Sequence, residues 1–264
     1  MFQKKIWDNL WAEKEFSDWD SSSQNIYDSI IKEAGKLEGK KILEAGSGTG
    51  RISLRFAMEG ADVTLLDFSE IAIEQSKERF NKRNLKAEFI TCDIMNMKDI
   101  PDNTYDVVWN AGVLEHFDKN QLCSSITEMK RILKPDGILI TINPNAKCLL
   151  YRIGKWYMEK TNQWSYGQEL PIYTLKEIGE ELGLSLLDEY SIGFKESLDF
   201  FSFLPESQLV RDAFGNGLHN YPTKKRQKLR DIYWYLSLRQ IQLDEIERKI
   251  ITTTYVKKKK KILY

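Results

Sequence analysis

The seven residues Glu44-Ala45-Gly46-Ser47-Gly48-Thr49-Gly50 constrain the fold of this chain more than any other stretch. They follow a short apolar run, Ile42-Leu43, and precede a helical pattern from Arg51 to Met58. A strand therefore runs into a glycine-rich turn and then into a helix. Glycine permits left-handed backbone angles and close approach of a ligand, and the first turn of a helix offers unpaired N–H groups to it. Asp67 ends the next apolar run. An acid at that point of an open α/β sheet can hold two ribose hydroxyls. The pattern reads as the nucleoside-binding half of such a sheet.

The glycine spacing narrows the ligand. Dinucleotide folds favour G-x-G-x-x-G with a pyrophosphate over the helix start. Here the glycines alternate as G-x-G-x-G behind Glu44, whose carboxylate would repel a pyrophosphate and suit an amino group. The stretch KILEAGSGTG followed by VTLLDFSE resembles the class I, Rossmann-like S-adenosylmethionine-dependent methyltransferases of small-molecule type. The resemblance runs from Lys40 to Asn143, and more loosely to YTLKEIGEELGLSLLDEYSIG. It implies S-adenosyl-L-methionine as cofactor and S-adenosyl-L-homocysteine as product. It also implies a cofactor-binding set of Glu44, Gly46, Ser47, Gly48, Gly50, Asp67, Phe68, Asp93, Ile94 and Asn110. In that set Asp93, at the end of AEFITCDI, accepts a hydrogen bond from the adenine amino group, and the Ile94 backbone contacts the ring. Glu44 lies at the amino end of the ligand.

Five short apolar runs, 41–45, 62–67, 87–92, 105–110 and 137–142, read as buried parallel strands. Helical patterns fill the gaps at 51–58, 71–82 and 119–133, the last opened by a capping-box pair, Asp118 and Gln121. Thr174 and Glu177 offer a similar start to a helix over 175–181. LSLLDEYSIG and KIITTTYVKKK read as a sixth and a seventh strand. The expected fold class is α/β: a doubly wound seven-stranded sheet, mostly parallel, with helical lid insertions. The resemblance makes the last strand antiparallel. The expected domains are an N-terminal helical cap over 1–39, a Rossmann-like cofactor-binding domain over 40–193 plus 248–264, and lid or substrate-binding insertions over 144–173 and 194–247. Both insertions leave the carboxyl ends of strands, where open α/β sheets bind ligands, and both are rich in aromatics.

Composition excludes several rivals. At 264 residues the chain accommodates one large domain or one domain with a lid. Its 39 basic and 39 acidic residues leave no global basic field for nucleic acid. No apolar run reaches membrane-spanning length, the start lacks the apolar core of a secretion signal, and Cys92, Cys123 and Cys148 are scattered. The expectation is a cytoplasmic protein acting on a small-molecule or peptide-like acceptor, with oligomeric state unspecified. No metal is expected, because the fourth strand ends in Trp109-Asn110-Ala111-Gly112 rather than in acids.

Methyl transfer from a sulfonium needs alignment and exclusion of water, sometimes with a base on the acceptor. The chain's two histidines, His116 in GVLEHF and His219 in GNGLHNYP, are the candidate bases. The Glu115-His116 pair resembles one in quinone-biosynthesis and related small-molecule methyltransferases; His116 also reads as a structural histidine that packs the loop near the ligand. Tyr27, Tyr157, Trp164 and Tyr166 are candidate substrate contacts. The basic stretch 224–230 and the run Lys257–Lys261 keep an RNA or protein methyltransferase as an alternative. A non-catalytic cofactor-sensing module and a NAD-dependent oxidoreductase are the others.

Overall fold

Strand formation follows the apolar runs, and the helices between them pack on both faces of one sheet. The computed structural model describes residues 2–13, 19–193, 196 and 250–257. Two helices come first, α1 (Phe2–Glu13) and α2 (Ser21–Ala34), the second capped by Asp20, which accepts the Ser23 N–H at 2.7 Å. Then come β1 (Lys41–Ala45), α3 (Arg51–Met58), β2 (Asp62–Asp67), α4 (Glu70–Asn81), β3 (Glu88–Thr91) and β4 (Tyr105–Ala111). A 3-10 turn (Leu114–His116) leads to α5 (Lys119–Ile132) and β5 (Leu133–Pro144). The remaining elements are α6 (Leu149–Lys160), α7 (Lys176–Glu181), β6 (Leu184–Ile192) and β7 (Ile250–Lys257).

The first five strands pair in parallel in the order β3-β2-β1-β4-β5. Beyond β5 the strand order continues through β7 to β6. Successive side chains of β1 point to opposite faces. Leu43 and Ala45 join Leu66, Val108 and Leu139 in a core closed by Ile126 and Met129 of α5. On the other face Phe56 of α3 meets Trp109 edge-on at 6.0 Å. Each fully buried aliphatic side chain of such a core contributes about 1.5–3 kcal/mol.

The described residues of Met1–Asn143, Ser165–Tyr190 and Ile251–Tyr264 form one compact unit, and those of Pro144–Trp164 and Ser191–Ile250 form another. No helix among the described residues is long and apolar enough to cross a membrane.

Local signals of capping are borne out at α5, where Asp118 and Gln121 form the full reciprocal box. At α7 the cap shifts: Leu175 is the N-cap residue, while the Thr174 hydroxyl accepts from Lys176 N–H at 3.1 Å and donates to Glu189 at 2.9 Å. The fifth strand begins earlier than its apolar run. Tyr105 pairs with Leu133 and Val107 with Ile138, so two steps along β4 oppose five along β5. The excess is the Pro135-Asp136-Gly137 segment, with Asp136 at φ 63°. A turn-forming sequence is thus absorbed as an irregularity within the strand.

Candidate functional site

The glycine turn leaves β1 at the carboxyl edge of the sheet. Gly46, Gly48 and Gly50 have φ of 78°, 52° and 64°, angles that side chains with a Cβ adopt at a cost. Space forbids a side chain as well. A Cβ on Gly48 would lie 2.6 Å from Trp11 Cη2, one on Gly46 would lie 2.5 Å from Val113 Cγ2, and one on Gly50 would run into Leu65.

Four N–H groups of this turn are spent inside the protein. Gly46 and Ser47 both donate to the Leu66 carbonyl, at 2.7 and 2.9 Å, and Gly50 donates to the Ser47 carbonyl at 2.9 Å. Gly48 donates to Asp67 Oδ2 at 2.8 Å. These four bind chain atoms, so they form no cradle for a phosphate.

Two buried carboxylates flank the turn instead. Asp67 ends β2, is 4% exposed, and accepts the Ser69 N–H on Oδ1 at 2.9 Å as well as Gly48 on Oδ2. Burial pushes its pKa up, and these backbone donors oppose the rise. Glu44, on the α3 face of β1, is 6% exposed, and its Oε2 meets no hydrogen-bond partner. Burial pushes its pKa up to about 8; Ser53 on the first turn of α3 opposes the rise and the Asp67 charge adds to it. An acidic side chain is thus already supplied by the chain at the start of α3.

The other expected cofactor contacts divide. Phe68 is half-buried beside Asp67, and Ser47 is buried with an unpartnered hydroxyl. Asp93 is exposed after β3, its Oδ1 accepting the Met95 N–H at 2.9 Å, and Ile94 is buried next to it. The Asn110 side chain lies apart from this group. Its amide donates to Met129 Sδ on α5 at 3.4 Å, because Asn110 shares the α5 face of β4 with Val108.

The candidate catalytic and substrate residues are spread more widely. His116 is buried in the 3-10 turn after β4, with Nδ1 2.7 Å from the Gln168 carbonyl. A carbonyl only accepts, so Nδ1 carries the proton. Trp7 of α1 meets the His116 ring edge-on at 5.2 Å and tilts against Tyr166 at 6.3 Å. Tyr27 is not brought to this end of the sheet. Its hydroxyl donates to Glu59, just past the far end of α3, and its ring stacks on Phe56. Trp164 packs edge-on against Tyr151 at 6.5 Å within the second unit, where Tyr157 is half-buried on α6. His219, the aromatics from Phe194 to Tyr221, the helical pattern over 223–247 and the lysines beyond 257 lie outside the described residues.

Sequence reasoning expects a helical cap over 1–39 without naming its contacts, and α1 supplies several near the turn. Trp7 and Trp11 stack at 5.8 Å. Asp8 accepts the Ser69 hydroxyl at 2.5 Å, and Gln75 donates to the Trp11 carbonyl at 2.6 Å. The spacing of Trp7, Leu10 and Trp11 marks one helix face, but nothing in that spacing says which surface the face meets. Glu169 was overlooked: with the Glu115-His116 pair it brings ligand-type atoms within 4.8 Å of one another. Glu115 is 3% exposed, and burial, reinforced by Glu169, drives its pKa well above the ordinary range.

Comparison with known proteins agrees with this geometry. Residues 42–137 match a family described as a methyltransferase domain. The ubiquinone biosynthesis O-methyltransferase of Photobacterium profundum is 32% identical over 126 residues, 47% of this chain and 53% of that protein. This chain thus spans about half the length of the curated relatives it matches. Among solved structures, Haemonchus contortus phospholethanolamine N-methyltransferase 2, in complex with phosphomonomethylethanolamine and S-adenosylhomocysteine, superposes with a TM-score of 0.58 at 19% identity, covering 89% of this chain and 52% of that one. The [4+2]-cyclase SpnF superposes at 0.61 with 19% identity, covering 93% and 85%. These likenesses give the fold, and their different names show that the fold alone does not fix a reaction. What the comparisons show of this chain is similarity to a methyltransferase domain over residues 42–137.

Proposed function

We propose that the chain transfers the methyl group of S-adenosyl-L-methionine to an oxygen or nitrogen of a small-molecule acceptor and releases S-adenosyl-L-homocysteine. The observation that carries this reading is the pairing of two buried carboxylates, Glu44 and Asp67, around a turn four of whose N–H groups are already used. Such a site recognises a ligand that presents hydroxyls and an amino group, and repels one that presents phosphate. Asp67 takes the ribose hydroxyls, Glu44 serves the amino end, and the bare backbone of Gly46, Gly48 and Gly50 lets the ligand approach. Asp93 and Ile94 frame the adenine, with Phe68 and Ser47 beside the ribose. The Asn110 backbone, rather than its side chain, completes the set.

The acceptor lies toward His116, Trp7 and Tyr166, an aromatic wall suited to a small apolar or aromatic molecule. The donor is activated by its own positive charge, so the main tasks of the protein are alignment and exclusion of water. His116 either receives the acceptor proton or packs the loop. Residues 1–39 act as a cap, and the insertions at 144–173 and 194–247 serve substrate binding. An antiparallel seventh strand completes the sheet, and the enzyme works in the cytoplasm without nucleic acid.

Calorimetry with S-adenosylmethionine, S-adenosylhomocysteine and NAD tests the reading. Heat for the first two and none for NAD is expected. Turnover is then followed as S-adenosylhomocysteine release with phenolic and amine acceptors. Absence of heat for both adenosyl ligands from folded protein would overturn the assignment.

A further inference from the structure

Three buried polar atoms between α3 and the sheet meet no hydrogen-bond partner: Glu44 Oε2, Ser53 Oγ and Trp109 Nε1. Glu44 of β1 and Trp109 of β4 are direct neighbours in the parallel pair, and neighbours in register share a face of the sheet. Toward that face α3 presents Ser53 and Phe56, three positions apart and so on one side of the helix. Phe56 meets the Trp109 ring edge-on at 6.0 Å, and Ser53 acts on the Glu44 carboxyl through its hydroxyl and its N–H. Ser53 and Trp109 are fully enclosed, and Glu44 nearly so. Each buried polar atom without a partner is costly, and three in one patch point to a partner held in common.

We propose that Trp109 is a positioning residue for Glu44, its indole N–H reaching the carboxyl group through one enclosed water that Ser53 shares. The chemistry of the three atoms selects that partner. An indole N–H only donates, a carboxylate oxygen accepts, and a hydroxyl does either. A water accepts from Trp109 Nε1, donates to Glu44 Oε2 and makes its third bond with Ser53 Oγ, which is the usual number for an enclosed water. An ammonium group would serve Glu44 but has no lone pair with which to accept the indole N–H.

The water holds one carboxyl oxygen, Oε2, and leaves Oε1 to the amino end of the cofactor. This consequence rests on the proposed cofactor contact of Glu44, whereas the water itself does not. The middle of β4 thereby takes part in recognising the amino-acid end of the ligand from inside the sheet, through a side chain that touches no ligand. Glu44, otherwise free to turn within its enclosure, is fixed by a bond from the neighbouring strand.

Two variants of the full chain test the proposal. Trp109→Phe keeps a ring against Phe56 and deletes the N–H, and Ser53→Ala deletes the hydroxyl within a helix that tolerates alanine. Calorimetry compares S-adenosylhomocysteine with methylthioadenosine, which keeps the adenosyl sulfur and lacks the amino-acid end. Each variant should bind S-adenosylhomocysteine about three- to tenfold more weakly than the parent, the worth of one hydrogen bond. Methylthioadenosine affinity should stay within about twofold. In a Glu44→Ala chain, Trp109→Phe should cost S-adenosylhomocysteine affinity nothing further. Equal losses for the two ligands, no loss for either, or full additivity with Glu44→Ala would overturn the positioning role. If Trp109→Phe does not fold, Ser53→Ala decides by the same comparison. A parent chain that binds neither ligand sinks the methyl-transfer reading instead. The water is then judged without ligand, from the melting temperatures of Ser53→Ala, Trp109→Phe and their double variant: less-than-additive losses sustain it, and additive losses overturn it.

Discussion

The Gly48 N–H and the Asp67 carboxylate are joined at 2.8 Å, which locks the turn after β1 to the end of β2. One carboxylate therefore organises the turn and, on the proposed reading, also meets the ribose. Replacement by alanine removes both roles. Two buried backbone donors, Gly48 and Ser69, lose their acceptor, a loss of about 1–3 kcal/mol. S-adenosylmethionine binding should weaken about tenfold or more, in line with the roughly 1.5–3 kcal/mol of a hydrogen bond to a charged group. Asp67→Asn should recover part of the stability and little of the affinity. Chemical denaturation and calorimetry on both variants separate the two effects.

Trp11 and Gly48 form the second tight relationship. The indole lies so close to the turn that a Cβ on Gly48 would stand 2.6 Å from it. Gly48→Ala should destabilise the protein by more than the roughly 1–2 kcal/mol of the left-handed angle alone, and Trp11→Ala in the same chain should return the steric part. A ligand on the turn must also displace or contact this ring. Tryptophan fluorescence should change on adding S-adenosylhomocysteine, and the change should shrink in Trp11→Phe. An identical change in that variant would mean that α1 does not report on the turn.

Tyr27 provides a contrast. Its hydroxyl lies against Glu59 and its ring under the Arg55 guanidinium, at 4.4 Å. Tyr27→Phe should leave cofactor affinity and turnover unchanged within about twofold. Stability should fall by no more than about 1 kcal/mol, as is usual for an exposed hydrogen bond. A large loss of turnover with native melting would return Tyr27 to the site.

The readability of this chain follows the range of the interactions involved. β1, α3 and β2 keep the bounds that the sequence implies, because apolar runs and bare glycines are local signals. Asp67 and Glu44 were legible for the same reason: their position is fixed by the strand ends they occupy. The side-chain direction of Asn110 was not legible, because a strand residue's face depends on what packs against it, here Met129. The place of Tyr27 was not legible either, because α2 carries no sign of which end of α3 it meets. Glu169 lies 53 positions beyond His116, so only the fold brings the two together.

Glu44 makes the sharpest statement about pH. Its pKa stands at about 8 in the folded chain, against about 4.3 for a free glutamate. The folded state therefore holds a proton that the unfolded state has lost between these values, so stability falls as pH rises through that window. The contribution is fully present below the unfolded pKa and gone above about 8. The melting temperature should decline from pH 5 to pH 8, and Glu44→Gln should flatten that decline. The same proton bears on the ligand. At pH 7 the carboxyl is mostly protonated, and a cofactor ammonium beside it favours the ionised form. Binding of S-adenosylmethionine should then release part of a proton, seen as binding heats that vary with the ionisation enthalpy of the buffer. In Glu44→Gln that variation should largely disappear. Buffer-independent heats in the parent chain would place the amino end of the cofactor elsewhere.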